Sequence, residues 1–485
     1  MPPISGIIAN LSHLHSFTFR KPLIMSRSSH TNLLPLEWRA SSSLAGVYAL
    51  RMLGMFLVLP VLALHAVALG GSKADGGMAI AAYGLTQALL QLPLGIASDR
   101  FGRKKVIYLG LAVFAAGSLI AAAADNVTLL IIGRAIQGAG AVSAAVTALL
   151  ADLTREEVRT RAMASVGLTI GLTFAASMVL SPVLTRYIGV GGLFALTGIL
   201  SLVAIAVVAW VTPTPTHSKT REDADAQPSR ISEVVANSQL MRLNFGIFAL
   251  QGVMMAVFAS LPFALEQLGM PKESQWQVYL PAVLLGLVLM VPAIIIGETR
   301  GKLKSVFVLG ILFIALALCG LYWGIHSLLA IGVALVVYFI GFNILEASLP
   351  SIVSKIAPGD LKGTAMGVYN TAQSIGVFVG GAVGGRLYQH YGFGGMFAFS
   401  LGLTLLWLLV AATAPAPEAV KNVMMAVHSR WRGRENELAD ILMQQHGATA
   451  ASFSADKTTL YLKVRRGFDE AAAQQMISGA DSHVE

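Results

Sequence analysis

The sequence predicts an all-α membrane protein: twelve transmembrane helices in two six-helix pseudo-symmetric halves, plus a small α/β (ferredoxin-like) cytoplasmic C-terminal domain. Three observations predict it. Of 485 residues, 55% are apolar and only 12% charged, with a mean hydropathy of +0.70, whereas soluble globular chains are about 25% charged. Apolar runs of about 20 residues, enough to cross a bilayer as helices, recur along most of the length. Motifs of the first half return in the second at a nearly constant offset.

Residues 1–43 read as an N-terminal extension with Met25 as the expected true start. Arg20, Lys21 and Arg27 surround a weakly apolar beginning that lacks a convincing signal-peptide cleavage site. Spans are expected at roughly 44–69, 79–98, 105–124, 127–151, 161–186, 190–211, 241–267, 276–297, 304–322, 326–354, 363–388 and 391–413. The first six form one half, 44–211, and the last six the other, 241–413. Residues 212–240, which contain THSKTREDADAQPSR, read as an exposed linker between the halves.

APAPE after Thr413 opens a second linker into residues 414–485. There Val420–His428 alternates as a strand does, and Glu435–Gln445 carries Leu438, Ile441 and Leu442 at helical spacing. Ala448–Ser454 and Thr458–Val464 flank a turn at Ala455-Asp456-Lys457, and Asp469–Ile477 predicts a second helix. The order β-α-β-β-α suggests the ferredoxin-like domain. Such domains can hold metal through paired cysteines, but the chain's one cysteine, Cys319, lies inside a span. No metal centre, cofactor or intrachain disulfide is therefore expected.

The net charge of +9 finds its explanation in basic residues retained on the cytoplasmic side, not in a nucleic-acid partner. With the N-terminus inside, the cytoplasmic loops carry Arg100, Arg103, Lys104, Lys105, Arg155, Arg159, Arg161, Lys219, Arg221, Arg230, Arg242, Arg300, Lys302, Lys304, Lys355 and Lys362. The external loops carry only Lys73, Arg186, Lys272 and Arg386. Both termini are thus expected in the cytoplasm, with the chain multi-pass in a bacterial-type inner (plasma) membrane.

The internal repeat is legible in three places. LPLGIASDRFGRKK (Leu92–Lys105) aligns with VPAIIIGETRGKLK (Val291–Lys304), so that Pro93 meets Pro292, Asp99 meets Glu298, Gly102 meets Gly301 and Arg103 meets Lys302. Phe56-x-x-Leu59-Pro60 matches Phe258-x-x-Leu261-Pro262, and Ala162-Met163 matches Ala365-Met366. Six spans separate the copies, so each pair shares one orientation, the mark of a parallel repeat about an axis along the membrane normal.

These features resemble the major facilitator superfamily over about residues 44–413. GIASDRFGRKK is similar to that family's cytoplasmic loop after the second span, with Gly95, Asp99, Arg100, Gly102, Arg103 and Lys104 in place and Ala97 where a Leu is usual. Arg134-Ala-Ile-Gln137-Gly138-Ala-Gly140 looks like a second family motif. The fifth span carries Gly167-x-x-x-Gly171 apart from Ser181-Pro182, so the motif of drug/proton antiporters is only partial. The resemblance implies a latch: Asp99 facing the start of the eleventh span near Gly363-Thr364-Ala365, and Arg103 reaching Asp152. Formed only while the halves are closed on the cytoplasmic side, the latch would favour the outward-open state. Lys104 and Lys105 read as topological basic residues.

No phosphate-binding Gly-Lys-Ser/Thr loop and no enzyme motif is present, so transport is expected to run on an ion gradient or the substrate's own. Ionisable groups inside spans are functional candidates because burial there is costly. They are Arg51, Arg134, His65 and Glu346. Glu346 reads either as a proton carrier, since desolvation disfavours a carboxylate's charged form, or as a fixed partner of Lys355 or Arg51. Arg134 either caps carbonyls between helices or serves gating or a proton relay, and His65 is either a relay member or an interfacial polar residue.

Gln87, Gln91, Gln251, Asn343, Asn370 and Gln373 are the expected cavity lining, or else hydrogen-bond neighbouring helices. So few fixed charges point to an amphiphilic small-molecule substrate and not an anion, which would want paired basic residues. The expected partners are that substrate, protons and the bilayer, with self-association through the C-terminal domain. The expected function is proton-coupled efflux by alternating access. The alternatives are a proton symporter, a facilitative importer, and a membrane-anchored sensor reading a cytoplasmic ligand through the tail.

Overall fold

The computed structural model describes residues 33–140, 142–214, 228–299, 302–357, 362–414, 420–431, 433–453, 459–465 and 467–478. The extension up to residue 32, Met25 included, and linker residues 215–227 lie outside the described residues. The helices are α1 (Pro35–Ala68), α2 (Lys73–Phe101), α3 (Arg103–Ala122), α4 (Val127–Ala139), α5 (Ser143–Asp152), α6 (Glu156–Ala206), α7 (Pro228–Ala236), α8 (Ser238–Gln267), α9 (Trp276–Thr299), α10 (Leu303–Gly324), α11 (Leu328–Ile356) and α12 (Lys362–Ala412). Apolar runs become helices because lipid offers the backbone no hydrogen-bond partner outside its own segment. Four starts are capped by side chains: Ser72, Asn126, Asn237 and Ser327 each accept from a backbone N–H of the first turn.

Among the described residues, 10 segments are long and apolar enough to cross a membrane, α4 and α5 together counting as one. Helices α6 and α12 have 51 residues each. At about 1.5 Å per residue either would far exceed a bilayer core of about 30 Å if it were one rod. Neither is. Gly189 (φ 68, ψ 178) and Gly392 (φ 61, ψ −154) interrupt them, in a backbone region open essentially only to glycine. The breaks fall where the sequence separates the fifth span from the sixth and the eleventh from the twelfth. Helix α1, by contrast, starts at Pro35, nine residues before the expected 44, so Arg51 sits near its midpoint.

The first helix of each half is the most enclosed: 78% of the apolar window of α1 and 94% of that of α8 are buried, against 22% for α9. This puts α1 and α8 at the centre and α9 toward lipid. Helix α1 packs along α6, and α8 along α12, while α3 pairs with α4 and α10 with α11. Helix α2 lies along α12 and joins the two halves, far more extensively than its counterparts α6 and α9 touch. Without a hydrophobic drive between helices in lipid, close backbone approach at small residues supplies much of this packing. Gly110 meets Gly140 where α3 crosses α4, and Gly310 meets Gly341 where α10 crosses α11.

A second repeated device sits at the helix ends. Lys104 Nζ donates to the Thr212 carbonyl (2.8 Å) and the Thr214 hydroxyl (3.1 Å). Lys304 Nζ donates to the Ala412 (2.9 Å) and Ala414 (2.6 Å) carbonyls. Arg39 reaches the Val211 and Trp210 carbonyls, and Arg242 the Thr413 carbonyl. Thus a cation from α1 and one from α3 hold the carbonyls just after α6, and one from α8 and one from α10 those at the end of α12, where the helix dipole favours positive charge. The expectation that Lys104 is merely topological is therefore corrected.

The tail contains β1 (Val420–Ala426), α13 (Glu435–Met443), β2 (Ala448–Phe453), β3 (Thr459–Arg465) and α14 (Glu470–Ser478). The three strands form one antiparallel sheet in the order β1-β3-β2. Leu438 and Leu442 of α13 and Ala473 and Ile477 of α14 bury against Val423, Met425, Leu460, Leu462 and Val464. Residues 479–485 lie outside the described residues.

Candidate functional site

Polar residues inside the apolar helices meet where α8 and α11 pack, at Gln251 and Glu346, while the Asn343 amide of α11 lies against Gly286 of α9. Glu346, half-buried on α11, accepts a hydrogen bond from Gln251 Nε2 of α8 at 3.1 Å. Three tyrosines lie in its electrostatic field: Tyr48 of α1, Tyr338 of α11 and Tyr369 of α12. Gln91 is fully buried with neither amide atom hydrogen-bonded in the protein, and the same holds for Asn343 Nδ2 and the Tyr338 hydroxyl. Gln87, Asn370 and Gln373 are half-buried.

Arg51 is not the partner of Glu346. Its Nη1 donates to Ser143 (2.9 Å) and its Nη2 to Tyr83 (3.0 Å), both of its own half, and its guanidinium lies 5.8 Å from the Phe114 ring centroid. Both bonds point to α2 and α5, and its buried Nε has no partner in the protein. Tyr48 stands in the field of both Arg51 and Glu346. The side chain of Lys355 lies outside the described residues. Among the described residues no Lys or Arg pairs with Glu346.

Arg134 is buried. It donates to the Ala79 carbonyl (3.2 Å) and to Gln137 Oε1 (2.8 Å), and stacks 4.8 Å from the Tyr83 ring centroid. Gln137 in turn donates to Ser118 at 2.7 Å. This is a satisfied network within one half, the carbonyl-capping alternative of the sequence. His65 is half-buried near the end of α1 and feels the charge of Lys272 of the other half.

An aromatic bridge joins the halves beside Glu346. Phe174 of α6 meets Phe56 at 5.0 Å between ring centroids, then Phe339 (6.0 Å) and Phe342 (5.8 Å) of α11. Tyr338 stacks on Phe342 at 6.2 Å. Sequence reading missed this bridge and the tyrosines. Tyr338-Phe339-x-x-Phe342 is a visible cluster, but nothing in the sequence shows that Phe174 reaches it.

At one end of the α2–α12 seam the halves are closed. Lys73 Nζ lies 4.6 Å over the Tyr388 ring, the Ala74 amide donates to Gln389 Oε1 (2.8 Å), and the backbone of Gly77 packs on Gly381 and Gly385. Further along, Gly84 lies against Ser374 and Phe378, and Leu92 against Gly367. This antiparallel register carries the backbone of Asp99 to the level of the first turn of α12, where Thr364 and Ala365 are buried. The Asp99 side chain lies outside the described residues. Arg103, after the α2–α3 turn at Gly102 (φ +100), pairs with Asp152 of α5 at 3.1 Å and donates to Ser98 at 2.9 Å. Arg100 is exposed and Gly95 half-buried.

The sequence profile described as Major Facilitator Superfamily matches residues 44–381 and 301–433. The chain is 42% identical to the inner membrane transport protein YajR of Escherichia coli (strain K12), over 89% of this chain and 95% of that protein. It is 27% identical to multidrug resistance protein 2 of Bacillus subtilis (strain 168), over 73% and 92%. In fold it is similar to a D-xylose-proton symporter, with a TM-score of 0.62 at 15% identity, over 78% of this chain and 98% of that one. Such transporters are not enzymes, and the protein is a multi-pass inner-membrane transporter of small molecules that belongs to the Major Facilitator Superfamily.

Proposed function

We propose that the protein is a proton-coupled exporter of amphiphilic small molecules that works by alternating access. The observation that carries this reading is the Glu346–Gln251 pair, a carboxylate with no cation partner among the described residues, set beside an aromatic bridge between the halves. A carboxylate held at membrane depth by one neutral hydrogen bond, with no cation paired to it among the described residues, gains from taking up a proton. Phe174, Phe339 and Phe342 offer apolar contact to a substrate. Gln91 and Asn343 offer unspent amides that orient it, since buried polar groups are costly without partners.

In this reading α6 and α12 each cross twice, giving twelve crossings in two six-helix halves, with both termini cytoplasmic and residues 414–485 a ferredoxin-like domain. The closed end at Lys73, Gly77 and Tyr388 is then external. Glu346 carries the proton, Arg51 supplies the facing positive charge with Tyr48 between them, and Arg134 and His65 support the helices around them. Asp99, level with the first turn of α12, latches the opposite end through the helix dipole, with Arg103 and Asp152 fixing the loop. Multidrug resistance protein 2 lends the efflux reading weight.

Purified protein in proteoliposomes tests it, with a panel of amphiphilic cations and neutral compounds and an imposed pH gradient. Flux should respond to the gradient, and Glu346→Gln should flatten that response while leaving substrate binding within a few-fold. An unchanged pH response in Glu346→Gln removes Glu346 from coupling. The sensor reading rests on the separate core of the tail and is checked by deleting residues 415–485: an exporter keeps flux, a sensor shows none with or without the tail.

A further inference from the structure

Where α8 and α10 begin and α12 ends, the C-terminal half opens a small cleft of about 50 Å³. Its mouth is formed by Gln239, Arg242 and Lys304, and its wall by Phe307, Ile352 and Trp407. Phe307, Ile352 and Trp407 are buried, with Trp407 edge-on to Phe307 at 6.0 Å. Both cations are held in place by carbonyls of residues 412–414. Neither has a carboxylate partner among the described residues. A guanidinium and an ammonium carry more donors than these contacts use. The result is two fixed positive charges with free N–H groups above an apolar wall, at the end of membrane-spanning helices.

We propose that this cleft is a binding site for an anionic phospholipid, the phosphate resting on Arg242 and Lys304 and the first acyl carbons on the apolar wall. Basic pockets between helices at a membrane surface suit such headgroups, whose negative surface potential adds to the local attraction. A water-soluble phosphate would use the cations and leave the wall uncovered. An acidic peptide would meet the same limit, since the apolar lining sits at the end of helices long and apolar enough to cross a membrane. The amphipathic helix α7, packed on α8 and α12, flanks the site with Val235 exposed, as suits a helix at a lipid interface. The inference goes beyond the transport reading and requires only that these helices cross a membrane.

Native mass spectrometry of the full chain, titrated with phosphatidylglycerol or phosphatidylcholine, tests it without any transport readout. Wild type should retain phosphatidylglycerol at least tenfold better than phosphatidylcholine. Arg242→Gln/Lys304→Gln should lose that preference. Because those residues also hold helix carbonyls, Gln239→Glu serves as the second variant: it adds a repelling charge at the mouth, in a helix first turn that tolerates acid. It should lower phosphatidylglycerol retention several-fold at an unchanged melting temperature. Equal retention of the two lipids by wild type, or wild-type preference in the well-folded Gln239→Glu protein, overturns the proposal. So do cross-links from Lys304 to Glu222 or Asp223 that added phosphatidylglycerol leaves unchanged, since the cleft would then be filled by the chain's own linker.

Discussion

Gly77 offers the sharpest mechanical test of the seam between the halves. A Cβ added there would stand 2.7 Å from the Gly385 Cα and closer still to the Gly381 carbonyl oxygen, where ordinary contact begins at 3.4 Å. The difference, 3.4 less 2.7, is about 0.7 Å, and both obstacles are backbone, so no side chain can swing aside. The helices must part at this end. Overpacking of this kind costs about 1–3 kcal/mol, and here it is confined to the closed arrangement. The closed population should fall about 5- to 150-fold relative to the open one. Cysteines at positions 74 and 389, in a background with Cys319→Ser, report the closure through cross-linking by a short bifunctional reagent. Gly77→Ala should slow cross-linking by a factor in that range and Gly77→Val by more. Gly46→Ala, where the added atom meets nothing within 4 Å, should leave it unchanged. Wild-type cross-linking rates in both Gly77 variants would refute the claim that the seam closes by backbone contact.

Three further outcomes are expected. Asp99→Asn should insert and fold at normal abundance yet lose most transport, and wild-type flux at normal abundance ends the latch. Glu37→Gln should destabilise the protein by about 1–2 kcal/mol in detergent melts, since this buried carboxylate accepts from the Leu34 and Arg155 amides and the Arg155 guanidinium; an unchanged melt shows the clamp to be ornamental. Gly392→Ala should cost about 1–3 kcal/mol, because alanine is strained at φ 61, and a melt matching wild type would mean the turn can relax into another shape.

Hydropathy revealed most of the helices, because lipid imposes them on apolar runs. It misplaced the start of α1, since Trp38, Arg39 and Ser41–Ser43 read as loop although Ser41 and Ser43 are buried in the helix. The break between α4 and α5 near Gly140 left no gap in apolarity to detect. The resemblance pointed to Arg103 and Asp152, which stand 3.1 Å apart. The partners of Arg51 and Glu346 did not follow, because which face a side chain takes depends on helix rotation, and that is set by packing across the whole half. Lys104 and Lys304 looked like ordinary loop lysines for the same reason: their targets lie more than a hundred residues away in sequence.

The breaks at Gly189 and Gly392 also bear on how the chain is made. In the twelve-crossing arrangement proposed above, a pair of arms joined by one glycine presents almost no polar loop for the insertion machinery to carry across, only residues such as Arg186 or Arg386 nearby. Each 51-residue unit can therefore enter the bilayer as a preformed hairpin, its two arms satisfying one another before any neighbour arrives. The same economy removes the usual places to splice in a tag, a protease site or a fluorophore. Probes of that membrane face are better placed at the turns after Gly70 and Gly269, where the chain also takes positive φ but longer segments separate the helices.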